Sequence, residues 1–145
     1  MINTYIGRKA PKNIAPEGLL PNPNSPVKVL TDRFADMGFS IREMMALMGA
    51  HSTGKQRFVN TASANASFDS TVDIWDVRFC EHCQIWGWNS LTNIWWVDSE
   101  TQSATVAPGT LKLNSDVNFS HNATTMPDWN RFVGNQDNWF VHAEC

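Results

Sequence analysis

The chain has 145 residues, 42% apolar and 17% charged, with a net charge of −3. That length supports a core of ordinary size, and the composition is too apolar for an intrinsically disordered segment. The small negative charge excludes the clustered Lys and Arg of nucleic-acid binding, and no apolar run reaches the roughly 18 to 20 residues of a membrane helix.

The first residues, Met1-Ile2-Asn3-Thr4-Tyr5-Ile6-Gly7, lack the apolar stretch of a signal peptide, so taken alone they predict a cytosolic chain. Residues 8–26 carry Pro11, Pro16, Pro21, Pro23 and Pro26 without helical period and read as extended. Ser25-Pro26 then predicts a helix start, with Ser at the cap and Pro at the first helical position. Val27, Leu30, Phe34 and Met37 give that helix one apolar face, and Gly38 ends it. Ser40 and Glu43 have the spacing of a capping box for a second helix. Ile41, Met44, Met45, Leu47 and Met48 are apolar on more than one side, which predicts burial. His51 and Ser52 fall at its C-terminal end, where the helix dipole keeps a histidine basic.

Residues 55–79 read as a polar loop. Ile85–Trp88 and Ile94–Val97 read as short strands, because aromatic and branched residues favour them. Leu111, Leu113 and Asp116 mark another short element. Thr125 and Asp128 flank Met126-Pro127 in a second capping pattern, and Trp129, Phe132 and Val133 form the apolar stripe of a last helix. No internal repeat is present.

Several residues carry possible chemistry. His51 is either a satisfied helix-end histidine or a ligand. An iron ligand needs its other ring nitrogen held by an acceptor, and Asp116 is a plausible one, although the residue pattern does not select it among the other acidic residues. Asp69, Thr71, Ile74 and Asp76 offer hard oxygen donors at offsets that let one loop wrap a calcium ion, with Ser52 tying the loop to the histidine; a plain acidic turn has the same composition. Cys80-Glu81-His82-Cys83 presents two thiols and an imidazole. A zinc site there needs a fourth ligand, so a disulfide or two free thiols is the simpler reading, and Cys145 makes the cysteine count odd. Trp86, Trp88, Trp95 and Trp96 read as either core or an aromatic binding face. Asn65-Ala66-Ser67, Asn118-Phe119-Ser120 and Asn122-Ala123-Thr124 are glycan acceptors on a secretory route.

The ordered set Gly7-Arg8-Lys9, Leu19-Leu20-Pro21, Phe34-Ala35-Asp36-Met37-Gly38-Phe39-Ser40 and Ala46-Leu47-Met48-Gly49-Ala50-His51-Ser52 is similar to the segment leading into the proximal helix of class II (fungal) haem peroxidases. The similarity continues through Phe68–Asp76, breaks between about Cys80 and Ala107, and resumes from Leu111 to Gln136. It implies a mainly α fold: residues 1–145 as one partial domain, the proximal helical half, with 80–107 as a divergent Trp-rich, insert-like segment. It also implies a secreted enzyme of the oxidative-stress response that uses hydrogen peroxide to oxidise small reducing substrates through a His-ligated haem.

Carried over by the resemblance, His51 is the axial ligand of haem b, Asp116 its hydrogen-bond partner and Phe68 the aromatic packed beside it. Ser52, Asp69, Thr71, Ile74 (through its carbonyl) and Asp76 are the ligands of a Ca2+ ion. The distal Arg and Phe-His that act on peroxide have no match here, since His82, His121 and His142 all follow His51 and Arg8 belongs to the proximal lead-in. No catalytic residue is therefore assigned, and a distal half is an expected missing partner. Ala46 and Arg57 stand where lignin- and manganese-oxidising members carry their specific Trp and Asp, so the resemblance implies neither specialised type. Met126 replaces the first cysteine of the family's C-terminal disulfide, which leaves Cys145 without that partner. The alternatives are a non-catalytic, truncated haem- or calcium-binding relative, and a structural or interaction protein.

Overall fold

Local signals set the first two helices. The computed structural model describes residues 7, 9–14, 16–22, 24–84, 87–89, 94–96 and 110–143. Helix α1 spans Val27–Asp36 and closes in a complete Schellman motif: Gly38 N–H donates to Ala35 O at 2.9 Å and Phe39 N–H to Phe34 O at 3.0 Å. Gly38 sits at φ +91°, which a side chain would resist, and the Phe34 and Phe39 rings meet edge-on at 5.9 Å across the motif. The next residue already caps α2 (Ile41–Met48) through the Ser40–Glu43 box. The α1 start differs from expectation. Pro26 occupies the cap position with no side-chain cap, and Ser25 N–H bonds back to Asn22 O at 2.9 Å instead.

The remaining elements are a 3-10 turn at Gly49–Thr53, a second at Thr61–Ser63, α3 (Arg78–Gln84), β1 (Gly87–Asn89), β2 (Ile94–Trp96), α4 (Asn114–His121), α5 (Met126–Trp129) and α6 (Gln136–Ala143). The strands pair antiparallel with Trp88 opposite Trp95; Ile85, Trp86 and Val97 of the expected strands lie outside the described residues. The architecture is mainly α. Among the described residues no helix is long and apolar enough to cross a membrane.

Helix α2 is the centre of the packing, touching α1, α5 and α6, while α3 packs on α4 and on the 3-10 turn that follows α2. Met44, Met45 and Ala46 of α2 join Phe79, Cys80, Phe119, Trp129, Phe132 and Trp139 in one buried cluster. Each large side chain in it contributes roughly 1.5–3 kcal/mol by leaving water.

Two expectations are corrected at the C-terminal end. Thr125 occupies the cap position of α5, but its hydroxyl donates to Phe119 O at 2.6 Å rather than to a helix N–H. The apolar stripe Trp129, Phe132 and Val133 is not one helix, because α5 ends at Trp129 and the chain turns through Gly134 at φ +64° before α6. Helix α3 was not predicted at all; its carbonyls are tied down by Ser120 Oγ–H on Cys83 O (2.9 Å) and Trp129 Nε1–H on Cys80 O (3.1 Å).

Candidate functional site

His51 lies one turn beyond α2, where the backbone has tightened from α to 3-10 geometry. Two contacts fix this end. Trp139 Nε1–H donates to Ala46 O at 2.8 Å, and the same indole lies so near Gly49 that an added Cβ would sit 2.3 Å from Nε1. Glycine at 49 is therefore a packing requirement: it lets α6 approach the turn that carries the histidine.

The His51 ring is held on three sides. Its Nδ1 is 3.1 Å from Oδ2 of Asp116, which sits in the first turn of α4 and is fully buried. A carboxylate accepts only, so Nδ1 carries a proton, and in the neutral ring Nε2 keeps its lone pair. Nε2 has no hydrogen-bond partner among the described residues. The Phe68 ring lies 5.1 Å away at 38°, and the Phe79 ring meets His51 edge-on at 5.4 Å. Burial alone would depress the pKa of His51, but the charge and hydrogen bond of Asp116 outweigh it, so the net shift is upward.

The following loop is pinned to the same site. Phe68 N–H donates to Gly54 O at 3.1 Å, and Ser67 bridges both Lys55 and Thr110. Asp69 comes next and is fully buried; its Oδ1 accepts from Thr71 N–H (2.8 Å) and lies 2.9 Å from Thr71 Oγ1. That hydroxyl is also 3.0 Å from Asp76 Oδ2, so one O–H proton faces two carboxylates and can satisfy one of them at a time. Asp76 Oδ1 in turn accepts from Arg78 N–H at the start of α3 (3.0 Å). Ile74 N–H closes a turn on Thr71 O at 2.7 Å, and the Ile74 side chain is exposed.

Among the described residues three buried side-chain oxygens have no hydrogen-bond partner: Ser52 Oγ, Asp69 Oδ2 and Asp116 Oδ1, the oxygen of Asp116 that does not face His51. Buried polar atoms are rarely left so, and an unbalanced set of hard oxygens fits a hard cation such as Ca2+. Among the described residues no three His, Cys, Asp or Glu side chains converge on one point, so hydroxyls and carbonyls must supply part of any such donor set.

The structure thus brings His51, Asp116 and Phe68 together, and separately Asp69, Thr71 and Asp76; Ser52 shares the turn of His51. Phe79 is a site residue that the sequence reading does not single out, and His82, read there with its flanking cysteines, lies beside Asp69 instead. The signal for Phe79 was its spacing with His82 and Cys83, three and four residues on, which places all three buried on α3. Cys80 and Cys83 are free, buried thiols, and burial pushes Cys80 up to about 12 and Cys83 well above its ordinary value. Neither is poised as a nucleophile. Ala46 is buried against Trp139, whose indole N–H bonds its carbonyl.

A family model described as Peroxidase matches residues 2–135. Similar proteins include Ligninase LG5 of Phanerodontia chrysosporium, 29% identical over 136 residues, covering 93% of this chain and 36% of that protein. The Low-redox potential peroxidase of Taiwanofungus camphoratus is 29% identical, covering 92% and 39%. Manganese peroxidase 3 of Phlebia radiata is 30% identical, covering 91% and 36%. The chain therefore spans little more than a third of the length of these relatives.

Proposed function

Because this chain belongs to the peroxidase family, we propose that it forms the proximal side of a secreted haem peroxidase, with His51 Nε2 as the iron ligand. The observation that carries this reading is the His51–Asp116 pair, drawn from residues 65 apart and closed at 3.1 Å, with the Phe68 and Phe79 rings against the imidazole. Haem b, when bound, supplies the redox chemistry with hydrogen peroxide. Asp116 holds the Nδ1 proton, which fixes the tautomer and strengthens Nε2 as a donor. Phe68 and Phe79 pack on the imidazole and fix its plane.

Ca2+ is the second ligand in this reading, held by Ser52, Asp69, Thr71, Asp76 and the carbonyl of Ile74. The buried, unpartnered oxygens of Ser52 and Asp69 support it. The ion would join the loop at 69–76 to the turn of His51 and so stiffen the ligand's support. Peroxide-dependent oxidation of small reducing substrates belongs to the whole protein. Acid–base transfer on peroxide needs groups on the other haem face, and we assign none of it to the residues described.

A hemin titration with Ca2+ present, followed at the Soret band, tests this. Saturable binding by the native chain, lost in His51→Ala, is expected. Equal binding by both would overturn the assignment. Histidine-dependent binding without peroxide-driven dye oxidation would make this sequence a haem-holding portion that depends on further chain for turnover.

A further inference from the structure

One of the glycan acceptor tripeptides, Asn122-Ala123-Thr124, stands at the edge of a groove. Asn122 is the C-cap residue of α4, with extended backbone at φ −76° and ψ 133°. Its Oδ1 accepts from Thr124 N–H at 2.9 Å, which folds the tripeptide into a tight loop about its own amide. Nδ2 has no hydrogen-bond partner among the described residues, and Ala123 and Thr124 are exposed. The other two acceptors are built differently. Asn118 lies inside α4, and its Ser120 is buried with the hydroxyl set on Cys83 O. Asn65 is exposed, but it stands at φ +72°, and its Ser67 bridges Lys55 and Thr110.

Asn122 and Thr124 line a groove of about 420 Å³ together with Val27, Thr31 and Ala35 of α1 and Ile41 of α2. That volume falls in the range of small-molecule sites, about 300–1,000 Å³. Val27 and Ile41 pack on the core cluster, so this wall is fixed, while Lys28 and Asp32 add an exposed ion pair at 2.6 Å. The mixture suits a sugar: the C–H face and acetyl methyl of N-acetylglucosamine match the apolar side chains, and its hydroxyls match Thr31 and the ion pair. We propose that Asn122 is an N-glycosylation site whose first N-acetylglucosamine lies in this groove. A sugar attached at Asn122 starts at the groove and reaches it as an intramolecular step. The proposal rests on the secretory reading above, because the donor is the lipid-linked oligosaccharide pyrophosphate of that route. Asn122 Nδ2 bonds to sugar C1 as the bond from C1 to the pyrophosphate oxygen breaks. The amide gives up one proton, the lipid pyrophosphate leaves, and nothing is oxidised or reduced.

The test uses the full chain behind a supplied secretion leader in a eukaryotic host, so that the chain's own routing does not enter. Glycopeptide mass spectrometry of secreted and cell-retained chain alike should find the glycan chiefly at Asn122. It should be lost in Asn122→Gln and Thr124→Ala and kept in Thr124→Ser. Endoglycosidase trimming to a single N-acetylglucosamine then permits NMR. The acetyl methyl should show nuclear Overhauser contacts to the methyls of Val27, Ala35 or Ile41. Occupancy chiefly at Asn65 or Asn118, or none at all, would overturn the proposal. So would a glycan at Asn122 without those contacts, which would leave the groove to another occupant. Glycan at Asn122 under the supplied leader, with none on the protein from its natural source, would remove the secretory reading and leave this site standing.

Discussion

Gly49→Ala probes how α6 positions the histidine. The backbone at 49 is ordinary for any residue, at φ −57° and ψ −20°, so the substitution strains nothing by conformation. The obstacle is the Trp139 indole, which the new methyl would meet at 2.3 Å from Nε1, 2.6 Å from Cε2 and 2.8 Å from Cζ2. Ordinary contact needs about 3.5 Å or more between such atoms, so α6 must retreat by roughly an ångström. Overpacking of this kind costs about 1–3 kcal/mol. Breaking the Trp139–Ala46 hydrogen bond leaves the buried indole N–H unpaired, because Ala46 O keeps a backbone N–H at the end of α2; that costs another roughly 1–3 kcal/mol if it is lost outright. Against this, Ala gains about 0.5–1 kcal/mol over Gly through the unfolded chain. The net expectation is a loss of about 2 kcal/mol or more, or a fall in Tm of roughly 8 °C for a chain of this size. Differential scanning calorimetry measures it. In a Trp139→Leu background, which opens the space, Gly49→Ala should cost much less, a non-additivity expected of touching residues. A Gly49→Ala Tm within a degree or two of the native value would refute the close approach of α6 to the histidine turn.

Two further outcomes follow from the site. In the metal-free chain, the raised pKa of His51 means that its pairing with Asp116 contributes stability in full below about 6.5 and loses it as pH rises through the folded value. The stability difference between the native chain and Asp116→Asn should therefore shrink from pH 6.5 upward; a difference that stays constant across that range contradicts the pairing. His82 has the opposite sign, since burial lowers its pKa and its contribution is lost as pH falls; taking the difference between the two proteins cancels it. In a Cys145→Ser background, Cys80 and Cys83 should react with a disulfide reagent at the rate of unfolding, because burial holds both as thiols. Rapid labelling of the folded chain would show that α3 is not packed as described.

The parts legible in the sequence were those fixed within a few residues. Gly38 as a left-handed helix end and Ser40–Glu43 as a reciprocal cap need no tertiary partner, and both are present. Thr125 had the same local appearance, yet its hydroxyl turned inward to Phe119 O, a choice made by burial. Helix α3 was illegible for a related reason. Seven residues carry little periodicity, and its stability comes from Trp129 and Ser120, which bond its carbonyls from 49 and 37 residues away. In the site, the composition of the Asp69–Asp76 loop suggested a cation without choosing it over a simple turn. The His51–Asp116 pairing came from family resemblance, because no spacing rule joins residues 65 apart. His82 was noted with its flanking cysteines as a zinc candidate, but its neighbour is Asp69, which only the fold brings near.

The central claim is that His51 supplies a strong nitrogen donor because Asp116 holds its other nitrogen. Resonance Raman spectra of the reduced hemin complex test it at the bond itself. The account predicts an iron–histidine stretch in the native chain, a shift to lower frequency in Asp116→Asn as the donor weakens, and loss of the band in His51→Ala. A band that persists in His51→Ala, or that is unmoved by Asp116→Asn, would contradict it.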